Sequence, residues 1–226
     1  MTHTPEPPQH PASAYYPPPA YAAAQAKDLT AFGILAFSAA ALATLFACVN
    51  ATVVARAIRE GATADEIETL DWSVVVYGLG SGLTVLALIA GWVTGSMWLF
   101  RARSNADLLE PGRGHARSSG WAWGGWICPI VSFWFPFQVV RDVHKALTPL
   151  STWPVIGWWW GFYIVMTIGW RISGSVEDDA TSATASSAQS VAIFFAIVMV
   201  VTLVLWGLVL RKVTKEQHDR LYGRAA

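Results

Sequence analysis

Residues 121–140 read WAWGGWICPIVSFWFPFQVV: twenty residues without a charge, carrying Pro129 and Pro136 inside and Gly124-Gly125 near the start. How this stretch crosses or does not cross a membrane decides the fold. An interior proline removes a helix hydrogen bond and clashes with the preceding turn, at a cost of ~3 kcal/mol or more in water. In lipid the freed carbonyls need protein or water partners. A straight span is therefore disfavoured, and the stretch reads as a re-entrant or interfacial helical hairpin built around Trp121, Gly125, Trp126, Pro129 and Pro136.

Four more windows lack ionisable side chains, between Leu29 and Ala55, Trp72 and Phe100, Ala146 and Trp170, and Ala180 and Leu210. Uncharged apolar runs of about 18 residues or more match a ~30 Å hydrocarbon layer. The spans expected from them are 31–55, 72–100, 154–172 and 190–210. Pro154 suits a helix start, because its missing N–H would have no helical partner there. Charged residues make up 13% of the 226-residue chain, with 13 Trp and a formal net charge of zero. A soluble domain carries roughly 25% charge, and a nucleic-acid-binding face would be basic. Both classes are set aside. The expected fold is all-α: a polytopic membrane protein with four transmembrane helices plus the Trp/Pro-rich hairpin.

Domain organisation follows from the same pattern. Residues 1–28, with Pro5, Pro7, Pro8, Pro11, Pro17, Pro18 and Pro19, are expected to form a disordered Pro-rich tail. No basic n-region precedes the first apolar run, so a secretory signal is not expected. The membrane domain spans 29–212, and 213–226 is a basic C-terminal tail.

Charge asymmetry sets the orientation. If the N-terminus is cytoplasmic and the hairpin returns to its own side, 12 Lys and Arg lie inside and only Arg56, Arg59 and Arg171 outside. A fifth span reduces the best split to nine against six. The positive-inside rule prefers the first arrangement. Acidic residues then number 7 inside and 8 outside, so the zero net charge resolves into +5 and −5 across the membrane. The expected location is the plasma membrane, multi-pass, with both termini cytoplasmic.

Small residues permit close helix approach in lipid. Gly78-xxx-Gly82 and Gly91-xxx-Gly95 on the second span, and Gly157-xxx-Gly161 on the third, are expected to be internal contacts, with homodimerisation through these faces as the alternative. Asn50, Thr94, Ser96, Ser132 and Gln138 are expected to bond between helices. Cys48 and Cys128 lie towards opposite faces and are expected to pack as small apolar groups. His144 reads as a solvated loop residue. With no ionisable group in the spans, neither catalysis, nor a metal site, nor a cofactor is expected.

The candidate site is electrostatic. Arg101 and Arg103 follow the second span, and Arg141 and Lys145 follow the hairpin, so the four converge near the headgroups if the hairpin returns. Asn105, Asp107, Gln138 and Asp142 complete the set, the acids orienting the cations through charge-assisted hydrogen bonds. Anionic lipids or a protein partner are the ligands this chemistry fits.

Several motifs here resemble one family. Trp98-Leu-Phe-Arg101-Ala-Arg103-Ser-Asn105-Ala-Asp107 is similar to its W-x-x-R-x-R-x-N-A motif. Gly120-Trp121-Ala122-Trp123-Gly124-Gly125-Trp126-Ile127-Cys128-Pro129 and Pro136-Phe137-Gln138-Val139-Val140-Arg141-Asp142-Val143 resemble its G-W-A-x-G-W-x-x-P and P-x-x-V-V-R-[ED]-[VI] stretch. Val213-Thr214-Lys215-Glu216-Gln217 is similar to its close. The family is the mostly actinobacterial one catalogued as domain of unknown function 4328, and the likeness spans about residues 30–220. Ser119 stands where Pro is common, and Phe137 where Tyr is usual. The resemblance implies a multi-pass plasma-membrane protein and carries no activity. The expected role is a non-enzymatic envelope scaffold or lipid- or protein-interaction component. The alternative is a small-solute transporter or channel gated by the hairpin.

Overall fold

The computed structural model describes residues 19–59, 71–111, 117–128, 130–148, 152–177 and 185–223. The stretch 1–18, which holds most of the Pro-rich tail, and Pro129 lie outside them. Side chains at 19–20, 54–59, 71–74, 76–77, 170–177, 185–189 and 192 are also outside.

The described residues are helical: α1 (Pro19–Gln25), α2 (Thr30–Arg59), α3 (Asp71–Leu109), α4 (Trp121–Ile127), a 3-10 turn (Val131–Phe133), α5 (Phe135–Leu147), α6 (Pro154–Glu177) and α7 (Ala185–Tyr222). Among the described residues, three stretches are long and apolar enough to cross a membrane, Thr30–Val53, Gly78–Leu109 and Ile193–Tyr222. That is one fewer than the sequence pattern counts. The expected fourth, α6, has 24 residues, about 36 Å at 1.5 Å per residue.

The outward faces of these helices are oily. Ile34, Leu42 and Leu45 on α2, Leu79, Leu86 and Ile89 on α3, and Ile193, Phe194, Ile197 and Val204 on α7 are exposed. Apolar patches of this extent need a non-aqueous covering. They fit an integral membrane protein.

Two helices outrun the expected spans. α3 continues nine residues past Phe100, so Arg101, Arg103, Asn105 and Asp107 lie on helix rather than after it. The segment RARSNADLL holds no helix breaker until Pro111. α7 runs twelve residues past Leu210 to Tyr222, so most of the expected C-terminal tail is helix. At the other end, Pro19–Gln25 is helical, where a disordered tail to residue 28 was expected.

The tightest packing gathers at the end of the bundle where α3 stops and α5 and α6 meet. Leu29, Trp98, Leu99, Ala102, Val139, Val143, Leu147, Trp159, Val209 and Val213 are buried there in one cluster. Trp98 is edge-on to Trp206 of α7 at 5.6 Å, and Trp206 stacks on Trp159 of α6 at 4.8 Å. Such ring pairs contribute about 0.5–1.5 kcal/mol each beyond area burial.

The glycine contacts fall on different positions from those expected. Gly91 faces Ala39 of α2 and Gly95 faces Trp206 of α7, so this pair makes close contacts with two neighbouring helices. Gly78, Gly82, Gly157 and Gly161 have open space where a side chain would stand. Gly80 instead meets Asn50, and Gly169 meets Phe195. Periodicity marks small residues, but helix crossing points choose among them.

Candidate functional site

The WAWGGWI and FPFQVV halves of the quoted stretch fold as α4 and α5, packed on each other and joined through the 3-10 turn. Gly125 lets them touch: a Cβ there would sit 3.3 Å from the Phe135 Cβ and 3.5 Å from the Pro136 ring. Pro136 lies at the start of α5, where it interrupts no helical bond. Trp121 meets Phe135 edge-on at 4.5 Å.

Depth can be read along the neighbouring helices. Trp123 of α4 contacts Trp92 of α3 at 5.8 Å, and Trp126 contacts Tyr163 of α6 at 5.8 Å. Trp92 lies nine residues before Arg101, and Tyr163 nine residues after Pro154. Each is about 14 Å along its helix from that residue at 1.5 Å per residue. Trp160 donates its indole N–H to the Phe133 carbonyl at 2.8 Å and stacks on Phe137 at 6.2 Å. The tip itself is bare: Ile127 is 68% and Ile130 70% exposed, with Trp134 and Cys128 also outward. Cys128 does not pack as a small apolar core group as expected, while Cys48 is half-buried.

Above the tip, the polar side chains divide into three groups rather than one. In the first, Asn105 accepts the Lys27 amide at 2.9 Å and donates to the Lys27 carbonyl at 2.8 Å and to Gln217 of α7 at 3.2 Å. Gln217 donates back to the Ala102 carbonyl at 2.8 Å. Arg101 bonds the Asp28 carbonyl at 3.0 Å and lies over the Phe32 ring. The Asp28 carboxylate accepts the Thr30 amide at 3.0 Å, opening α2. That bond, aided by the Arg101 charge, holds the Asp28 carboxyl below its usual range.

The second group joins α3 to the hairpin. Arg103, only 5% exposed, pairs with Asp107 one turn on and donates to the Arg117 carbonyl at 3.3 Å. Arg117 donates its Nε to Gln138 of α5 at 3.1 Å and lies 3.9 Å over Phe135. Arg141, one turn after Gln138, lies over Phe137 with Asp142 at 3.9 Å. Among the described residues its Nε is enclosed without an acceptor, as is that of Arg103.

The third group sits between α5 and α7. His144, 2% exposed, is buried and not in a solvated loop as expected, because α5 turns that face onto the core. Its Nδ1 is 3.9 Å from Glu216, which pairs with Lys212 at 3.0 Å, and its ring meets Trp153 at 5.7 Å. Burial pushes the imidazole below its usual pKa against the pull of Glu216, and Lys212 adds to the lowering.

Of the expected site residues, Arg103 and Gln138 are joined through Arg117, with Asp107 beside Arg103, while Arg141 lies against Phe137 and Asp142. Arg101 and Asn105 turn instead to the Lys27–Asp28 segment, and Lys145 points to solvent. The expected convergence of all four cations is therefore replaced by separate clusters. Asn50 does bond across helices, to Ser81 at 3.3 Å, whereas Thr94 bonds the Ala90 carbonyl of its own helix. Arg117, Lys27 and Gln217 were not among the expected residues. Only Gln217 carried a signal, as the end of the Val213–Gln217 motif.

The matched sequence profile covers residues 59–215, well over half of the chain, and takes in α3, the whole hairpin, α6 and most of α7. The chain belongs to the family described as domain of unknown function (DUF4328). In this member the family region includes the Arg103–Arg117–Gln138 group, while Gln217 lies just past its end and Lys27 well before its start. No curated protein and no solved structure matches the chain.

Proposed function

We propose that this DUF4328 member is a multi-pass plasma-membrane protein with four spans and both termini cytoplasmic, acting without catalysis through lipid or protein contacts at its hairpin. One observation carries the reading. The hairpin packs beside Trp92 of α3 and Tyr163 of α6 while its tip turns Ile127, Ile130 and Trp134 outward. Side chains of this kind suit the acyl region, with the arginines behind them at headgroup level. The rings of Trp126, Trp160 and Tyr163 fill the space between hairpin and α6. That filling supports contact rather than solute passage.

Cys128 is the natural probe. In a Cys48→Ala background, a charged membrane-impermeant maleimide is expected to leave Cys128 unlabelled in both right-side-out and inverted vesicles. Ser118→Cys and Thr152→Cys, at the two ends of the hairpin region, are expected to label only in inverted vesicles. Labelling of those two positions from opposite sides would mean that the hairpin spans, and the reading would fail.

A further inference from the structure

We infer that Arg117, set by Gln138 on α5, forms with Arg141 one turn further along that helix a binding site for the phosphate of an anionic phospholipid headgroup, an inference resting on the membrane-inserted hairpin just proposed. Two arginines at this end of the protein, Arg101 and Arg117, meet a neutral group and a ring, and Arg117 is the one bonded to the hairpin. Arg103 is answered by Asp107, Lys212 by Glu216 and Lys215 by Asp219. Among the described residues, the partners of Arg117 are a neutral amide and an aromatic ring. The five residues before it, Gly112 to Ala116, contain no acid. Its positive charge is held close to the hairpin, and among the described residues no carboxylate pairs with it.

It is also held in one orientation. The Nε–Gln138 bond and the Phe135 ring fix the guanidinium plane, and Arg103 anchors the Arg117 backbone from α3. A guanidinium tied at Nε keeps its two Nη groups as a fork, the geometry that receives two phosphate oxygens. Arg141 follows Gln138 by three residues, so its Cβ lies about 5–6 Å away on the same helix face. The Phe137 ring lies 5.5 Å under its guanidinium, and Asp142 stands 3.9 Å from its Nε. Guanidinium groups spread over aromatic rings stay weakly hydrated, which lowers the cost of exchanging water for a phosphate.

Position selects the lipid over a soluble anion. Arg117 precedes α4 by four residues, and Arg141 follows the exposed Trp134 by seven, about 10 Å along α5. With Ile127 and Ile130 among acyl chains, both arginines stand at the height of the phosphates. A phospholipid then meets the tip with its chains and the arginines with its headgroup.

The full chain in neutral detergent is titrated separately with phosphatidylglycerol, phosphatidylcholine and inorganic phosphate, and bound lipid is counted by native mass spectrometry. Phosphatidylglycerol is expected to bind in preference to phosphatidylcholine. Arg117→Gln is expected to raise its half-saturation about five-fold, the effect of one headgroup-level cation. Arg117→Lys is expected to behave like Arg117→Gln, because an ammonium supplies charge without the fork or the stacking. Lys215→Gln is expected to change nothing. Full binding by Arg117→Lys would reduce the site to diffuse charge, and equal binding of the two lipids would remove it. Inorganic phosphate displacing the lipid at equal concentration would assign the site to a soluble anion and overturn the lipid. If Arg117→Gln does not fold, Gln138→Ala keeps the charge and removes the orienting acceptor, and unchanged binding there overturns the proposal as well. Cys128 labelling is independent of these readouts: an unlabelled Cys128 with lipid binding indifferent to Arg117 fails only this inference.

Discussion

Asn105 pairs with the backbone of Lys27 through two hydrogen bonds, 2.9 and 2.8 Å, across 78 residues of chain. The side-chain amide takes the place of a neighbouring strand, accepting the Lys27 N–H and donating to its carbonyl. Through Gln217 the same amide reaches α7. The segment leading into α2, the end of α3 and the end of α7 are thus tied at one buried residue.

Replacing Asn105 with Ala leaves Lys27 and Gln217 groups without partners in a buried place. Each lost partnership of this kind costs about 1–3 kcal/mol, so a loss of roughly 2–4 kcal/mol is expected. Trypsin cleavage after Lys27 is the local measurement. It is expected to accelerate in Asn105→Ala while the melting temperature in detergent falls.

Gly125 permits the close contact of α4 and α5. Ala there gains roughly 1 kcal/mol of helix propensity against a 3.3 Å approach to the Phe135 Cβ, so Gly125→Ala is expected to be nearly neutral. Leu is too large for that gap and is expected to cost about 1–3 kcal/mol by overpacking. Tryptophan fluorescence, dominated at this site by Trp121, Trp123 and Trp126, is expected to shift only in Gly125→Leu. Equal effects from both substitutions would show that the two helices do not touch there.

Trp160 links the hairpin to α6 by one hydrogen bond and several rings. Trp160→Phe keeps most ring contact and loses the bond to the Phe133 carbonyl, an expected cost of about 1 kcal/mol. Trp160→Ala also opens a cavity and is expected to cost about 3–5 kcal/mol. Thermal unfolding of the two variants checks the difference.

His144 gives a pH dependence with a definite sign. Its folded-state pKa lies below the ordinary 6.5 because burial outweighs the pull of Glu216. The unfolded chain therefore binds the proton first, and stability falls as pH drops below about 6.5 towards the lower folded value. His144→Phe is expected to flatten that part of the stability profile. Glu216→Gln is expected to steepen it, since removing the carboxylate lowers the folded pKa further. Lys212 and Trp153 face the same imidazole from α7 and from the chain just before α6, so each substitution is compared with the parent over the whole pH range.

The uncharged runs, the prolines and the basic clusters are properties of local sequence, so the sequence alone determined the helical class, three of the apolar helices and the break within 121–140. Burying oily surface away from water, or being unable to donate a backbone hydrogen bond, needs no knowledge of distant neighbours. Helix ends were less legible: Arg101 to Leu109 and Val213 to Tyr222 are polar, yet they remain helical because the Asn105–Gln217 contact and the buried Val213 support them. The site was the least legible part. That Arg117 would meet Gln138, Arg101 the Asp28 carbonyl, and His144 a buried carboxylate depends on how α3, α5 and α7 pack. A side chain's charge is fixed by its type, but its partner is fixed by which helix ends meet. Only the tertiary structure decided that.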